Sequence, residues 1–180
     1  MAVLEIHRFP DRILSKTAAQ VENIDGRMAG LLNSMVDTMF AANGIGLAAP
    51  QVGRLQRAIV MDHDTDNRGK NLIKLINPVI VEASGEITTE EGCLSVVNYT
   101  AMVTRASKIL LKGWTPDEKE HELEYEGLQA VCIQHEIDHL EGKLFIDQIS
   151  RLKRDMYRKR ILKAAKTDTT ASRGDKVPRI

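Results

Sequence analysis

The chain has 180 residues, 43% hydrophobic and 28% charged, with a formal net charge of zero, which suits a single domain with a sizeable core. Its two cysteines lie far apart and indicate no disulfide framework; with no long apolar run and no basic-apolar-small leader, neither membrane insertion nor export is expected, and a reducing, cytoplasmic location follows. The balanced total hides an asymmetry, because residues 150–180 hold eleven Lys or Arg against three Asp, net plus eight, on a body of net minus eight.

In chain order, the first clear element is a helix over 25–42, with Met28, Leu31, Leu32, Met35, Met39 and Phe40 at helical spacing, an Asp25 cap and a stop at Asn43-Gly44. Gly44-Ile45-Gly46-Leu47-Ala48-Ala49 can be written GxGxxA, but a dinucleotide fingerprint needs a strand before it and a helix after it. Here a helix precedes and Pro50 follows. Gly44 is expected to cap the helix, and Gly46 to let a substrate backbone approach closely. Short strand-like runs follow at 57–61, 72–81, 101–104, 109–114 and 120–125, the last two joined by the turn sequence Thr115-Pro116-Asp117-Glu118. Without regular intervening helices they do not read as a parallel sheet.

Residues 134–142, Gln-His-Glu-Ile-Asp-His-Leu-Glu-Gly, contain HExxH, a spacing set by metal chemistry rather than by packing. On a helix His135 and His139 project from one face and can converge on one ion, with Glu136 free to move protons. At about 100° per residue, Leu128, Val131, Cys132, His135 and His139 share one stripe. Ile133, Ile137 and Leu140 flank it, leaving Ala130, Gln134, Asp138 and Glu141 for solvent. A chance motif on a solvated face would mean nothing; imidazoles on an inner stripe must be paired or metal-bound. A catalytic ion of this kind takes three protein ligands. The third position of the extended pattern HExxHxxGxxH is Phe145, and no Glu follows Glu141, so the third ligand should lie upstream. Cys132 is about 10 Å along the axis from His139. Cys93 remains, with His7, His63 and His121 as weaker candidates.

Taken together, Gly44-Ile45-Gly46-Leu47-Ala48-Ala49-Pro50-Gln51, Glu91-Gly92-Cys93-Leu94-Ser95 and the HExxH run resemble, in order and separation, the three motifs of the bacterial peptide deformylases. The resemblance extends from Pro10-Asp11 to about residue 150. It implies one divalent ion, Fe(II) with Zn, Ni or Co as replacements, held by Cys93, His135 and His139. It further implies that Glu136 moves protons, that the Gln51 amide and the Leu94 N–H stabilise an oxyanion, and that Ile45, Leu128 and Val131 line a slot for the methionine side chain with His135 at its inner wall. The implied reaction removes formyl from the N-formylmethionyl end of new polypeptides, releasing formate. The family's C-terminal helix is associated with ribosome docking, which suggests the same for the basic segment here.

The expected architecture is α+β, antiparallel or mixed strands wrapped around a central buried motif helix, with a C-terminal helix. Residues 1–150 form one catalytic domain, 151–166 a basic helix and 167–180 a disordered tail. Two departures from the family pattern stand out: Val97 replaces a usual proline, and Asn98-Tyr99-Thr100 lacks a basic residue. Glu91 and Arg105 do match, and a salt bridge between them would steady the Cys93 loop. The competing readings are an HExxH metallopeptidase, a non-catalytic module with a structural metal, and an RNA-binding protein built on the basic tail.

Overall fold

The structure, a computed structural model, describes residues 2–171, with side chains through residue 163. Helix α1 (Gly26–Ala41) opens where expected: Asp25 Oδ1 accepts the N–H groups of Arg27 and Met28, each at 3.0 Å, satisfying donors that a helix start leaves without partners. Met28, Leu32, Met35 and Met39 form its buried stripe. The left-handed residue after the helix is Asn43, φ 55°, so Gly44 is not the left-handed cap. Gly44 is small for another reason, since a Cβ there would stand 2.8 Å from Leu94 Cδ1.

Strands β1 (Gly46–Ala48), β2 (Ala58–Met61), β3 (Ile73–Ser84), β6 (Lys108–Trp114) and β7 (Glu120–Glu126) make one antiparallel sheet in the order β1-β2-β3-β6-β7. Strands β4 (Ile87–Cys93) and β5 (Val96–Arg105) form a separate hairpin with Cys93 opposite Val96. Neither β1 nor β4 was expected. The first is a three-residue Gly/Ala-rich piece, and the second, Ile-Thr-Thr-Glu-Glu-Gly-Cys, carries too much charge to read as a strand.

Helix α2 (Gly127–Leu140) carries the motif, and α3 (Arg151–Ala171) is the last element among the described residues. Strand β2, between β1 and β3, is buried on both faces. Ala58 and Val60 pack toward the α1 residues Met28, Leu32 and Met35, while Ile59 and Met61 pack with Ala130, Ile133 and Leu140 of α2. This explains its unbroken apolar run. A third cluster joins Val96 and Val103 of β5 to Leu144, Phe145, Ile146 and Tyr157.

The wedge of α2 expected to face solvent is largely covered. Ala130 is fully buried, Gln134 exchanges hydrogen bonds with the backbone of Ala106 at 3.1 and 2.8 Å, and Asp138 meets Arg105. Only Glu141, paired with Arg57, stays exposed. The polar side chains at these positions are consumed by the 105–107 stretch, a tertiary contact that periodicity cannot show. Helix α3 continues past the expected end at Lys166 to Ala171; residues 172–180 of the expected tail lie outside the described residues.

Candidate active site

His135 and His139, one turn apart on α2, face the end of β4, and their rings lie 5.0 Å apart at 74°. Cys93 Sγ sits 3.2 Å from His139 Nε2. The ligand atoms of Cys93, His135 and His139 all lie within 4.8 Å of one another. A tetrahedral ion with about 2.3 Å to sulfur and 2.0–2.1 Å to nitrogen separates such donors by about 3.5 Å, so one thiol and two buried imidazoles fit a transition metal. His7, His63 and His121 lie outside this group: they contact Asp11 at 2.7 Å, Gln129 at 3.2 Å and Tyr125 at 2.7 Å.

The ring orientation of His135 is fixed from behind. Its Nδ1 meets Glu91 Oε2 at 2.9 Å, which leaves Nε2 for the cluster. Glu91 in turn takes Arg105 Nε at 2.5 Å and Nη2 at 3.0 Å, and Arg105 Nη1 reaches Asp138 Oδ2 at 2.9 Å. The anticipated Glu91–Arg105 pair is therefore present, bidentate, and buried on both sides. Burial pushes the Glu91 carboxyl up, but hydrogen bonds from His135 and Arg105 outweigh it and hold Glu91 below its ordinary range. Burial likewise pushes His135 down, but Cys93 and Glu91 bring it well above its usual value. Burial and the neighbouring His135 charge drive His139 well below.

Glu136 is 4% exposed, and its Oε2 has no hydrogen-bond partner among the described residues. Burial raises its carboxyl to about 7. Its other oxygen lies against Gly46, where any Cβ would collide with Glu136 Oε1 and stand 2.9 Å from Cys132 Sγ. Gly46 thus makes room for the Glu136 carboxylate. Cys132 stays apart from the ligand group, and burial raises its thiol well above the usual value.

Gln51 is 2% exposed. Its Oε1 accepts the Ala48 N–H at 2.8 Å, while Nε2 donates to Ser95 Oγ at 3.1 Å and lies 3.6 Å from Cys93 Sγ. An amide nitrogen carries two hydrogens, so one orients the group and the other is directed toward the cluster. Leu94 occupies the turn between β4 and β5, beside Cys93. Ile45, Leu128, Val131, Cys132 and His135 line one side of a cavity of about 120 Å³, and Thr89–Gly92 the other. Leu128, 53% exposed, is therefore on the cavity rim and not in the core. A larger groove of about 760 Å³ beside the start of α1 contains none of the residues of this centre.

Ser95, Asp138 and Phe145 were not anticipated. The Phe145 ring lies 6.0 Å from that of His135 at 26°; its sequence signal was its place where longer metallopeptidase motifs carry a third histidine.

An HExxH helix opposed by a cysteine in an α+β fold defines the class, a metal-dependent hydrolase. The polypeptide deformylase family model matches residues 3–155. Peptide deformylases of Thermodesulfovibrio yellowstonii and Syntrophobacter fumaroxidans are 49% and 48% identical over 160 and 169 residues, covering 89% and 94% of this chain and 97% and 99% of theirs. A crystal structure of a peptide deformylase from Legionella pneumophila superposes with a TM-score of 0.86 at 44% identity, covering 93% of this chain and 98% of the other. The chain belongs to the polypeptide deformylase family.

Proposed function

We propose that this protein hydrolyses the formyl amide of N-formylmethionyl polypeptides, releasing formate, at the centre built from Cys93, His135, His139 and Glu136. The observation that carries the assignment of the site is the 3.2 Å approach of Cys93 Sγ to His139 Nε2 beside a buried carboxyl. A divalent ion held by Cys93, His135 and His139 would supply Lewis acidity and make water acidic enough to attack near neutral pH. Fe(II) suits a mixed thiolate–imidazole set, with Zn, Ni or Co as replacements.

Glu136, whose carboxyl burial raises above its ordinary range, is the proton carrier. It takes the proton from the attacking water and returns it to the departing amine. The oxyanion formed at the formyl carbon receives the second Gln51 Nε2 hydrogen and the Leu94 N–H, donors fixed before the reaction by Ser95, Ala48 and the β4–β5 turn. The methionine side chain enters the cavity between Ile45, Leu128 and Val131. Strand β1 is the outermost strand of its sheet, so an extended peptide can add along its edge at Ile45-Gly46.

The basic helix α3 exposes Leu152 and Met156 among its Lys and Arg residues, which supports a ribosomal contact. No described helix is long and apolar enough to cross a membrane; two free cysteines and a nascent-chain substrate support action in the bacterial cytoplasm. A metallopeptidase reading lacks support, since Phe145 stacks on His135 where such an enzyme would present a third ligand.

Formate release from an N-formylmethionyl tripeptide, measured anaerobically with Fe(II), tests the assignment. Glu136→Ala is expected to lose about a hundredfold or more, as for general acid–base groups. Absence of formate from metal-loaded wild type would overturn it.

A further inference from the structure

The β4–β5 hairpin carries Cys93 but does not belong to the five-stranded sheet. An isolated two-stranded unit is marginal in water, so whatever packs on this one sets its position. We propose that α3 is that support, and that Arg160 and Tyr157 are positioning residues for the substrate rim; the kinetic part rests on the deformylase reading above.

The argument starts at the departures from the family pattern. Next to Val97, β5 carries Asn98 in the left-handed region, φ 56°, and two carbonyls here meet α3. Tyr157 donates its hydroxyl to Val97 O at 3.4 Å, and Arg160 Nη2 donates to Asn98 O at 2.9 Å. The Arg160 guanidinium also lies 5.9 Å from the Tyr99 ring and 5.4 Å from that of Tyr157. A planar cation that both stacks and donates fixes orientation in a way a lysine cannot.

From this contact two routes lead to the site. The Tyr157 ring meets Tyr99 at 4.8 Å, Tyr99 meets Phe145 at 6.2 Å, and Phe145 lies against His135. Along the strand, Thr100 Oγ1 donates to Glu90 Oε1 at 2.9 Å, and Glu90 lines the cavity assigned to methionine. Tyr157 is 3% exposed and shares a cluster with Val96, Val103 and, at its edge, Cys93. The inward face of α3 is thus part of the wall behind the rim.

The test compares full-length, metal-loaded wild type with Arg160→Ala, Arg160→Lys and Tyr157→Phe, using Lys159→Ala as a charge-matched control on the same helix. Arg160 is exposed on its outer side, so its replacement leaves the core intact. Arg160→Ala is expected to raise KM about threefold or more with kcat within about twofold, as for lost uniform binding. It should also speed amide exchange at residues 96–100 by about tenfold, with β2 and α2 unchanged. Arg160→Lys recovers part of both effects, Tyr157→Phe loses the Val97 bond and speeds exchange at 96–100 to a smaller extent than Arg160→Ala, and Lys159→Ala changes neither. Wild-type KM in Arg160→Ala would overturn the positioning role, and unchanged exchange at 96–100 would overturn the support itself. If wild type releases no formate, the functional reading falls, while the exchange measurement still decides whether α3 holds the hairpin.

Discussion

Glu91 shows how one residue beside a motif can govern it. Its carboxylate binds His135 Nδ1 and is held by two Arg105 nitrogens, so it fixes which imidazole nitrogen faces the cluster. Loss of such a partner typically lowers metal affinity by about 10–100-fold. Glu91→Ala should therefore give up its ion to a chelator at correspondingly lower concentration, and an unchanged chelator titration would count against the role. Glu136 has a separate signature in the metal-free protein. Its folded carboxyl is raised from 4.5 to about 7, so between those values the folded state binds more protons than the unfolded state, and stability falls as pH rises through that window. The shift corresponds to on the order of 3 kcal/mol. Urea titrations at pH 5 and pH 8 should show this loss in wild type and a much smaller one in Glu136→Gln. Equal slopes in the two proteins would refute the assignment.

At the scale of elements, legibility followed periodicity. Helix α1 was readable because its Met and Leu residues recur on one face and Asp25 caps it; Asp25→Ala should cost about 1 kcal/mol, measured by urea unfolding, with no effect on the ligand cluster. Helix α2 was readable on its apolar stripe and misread on the opposite side, where Gln134 and Asp138 bond to the 105–107 stretch. Strand β4 was hidden for the same reason. Its Glu91 is buried at 6%, and a buried carboxylate reads as a surface residue until its arginine is located. Strand β1 was too short to carry any period.

Across the whole molecule, the buried apolar residues gather in three clusters. One lies between α2 and the sheet, one between α1 and the sheet, and one under the hairpin and α3. The ligands come from two of these bodies, Cys93 from the hairpin and the histidines from α2, so an ion bound by all three ties them together. An ion present at about a thousand times its dissociation constant adds roughly 4 kcal/mol to the folded state. Chelation should consequently lower the melting temperature by about 8–16 °C for a chain of this size. Calorimetry showing the same transition with and without chelator would mean that the cluster holds no ion in the folded protein.

The sequence by itself determined helices α1 and α2 and the metal-type motif, because these depend on spacing within a segment, and it pointed to Cys93 as the candidate third ligand, the thiol that remained available. It also disclosed the family, since three motifs in order seldom coincide. Only the tertiary structure decided that Glu136 lies against Gly46, that Gln51 is set by Ser95 and Ala48, that Arg105 serves both Glu91 and Asp138, and that α3 backs the hairpin. Apart from the local Ala48–Gln51 bond, each of those contacts joins residues distant in the chain through hydrogen bonds or close packing, and such partners leave no period in the sequence from which to read them.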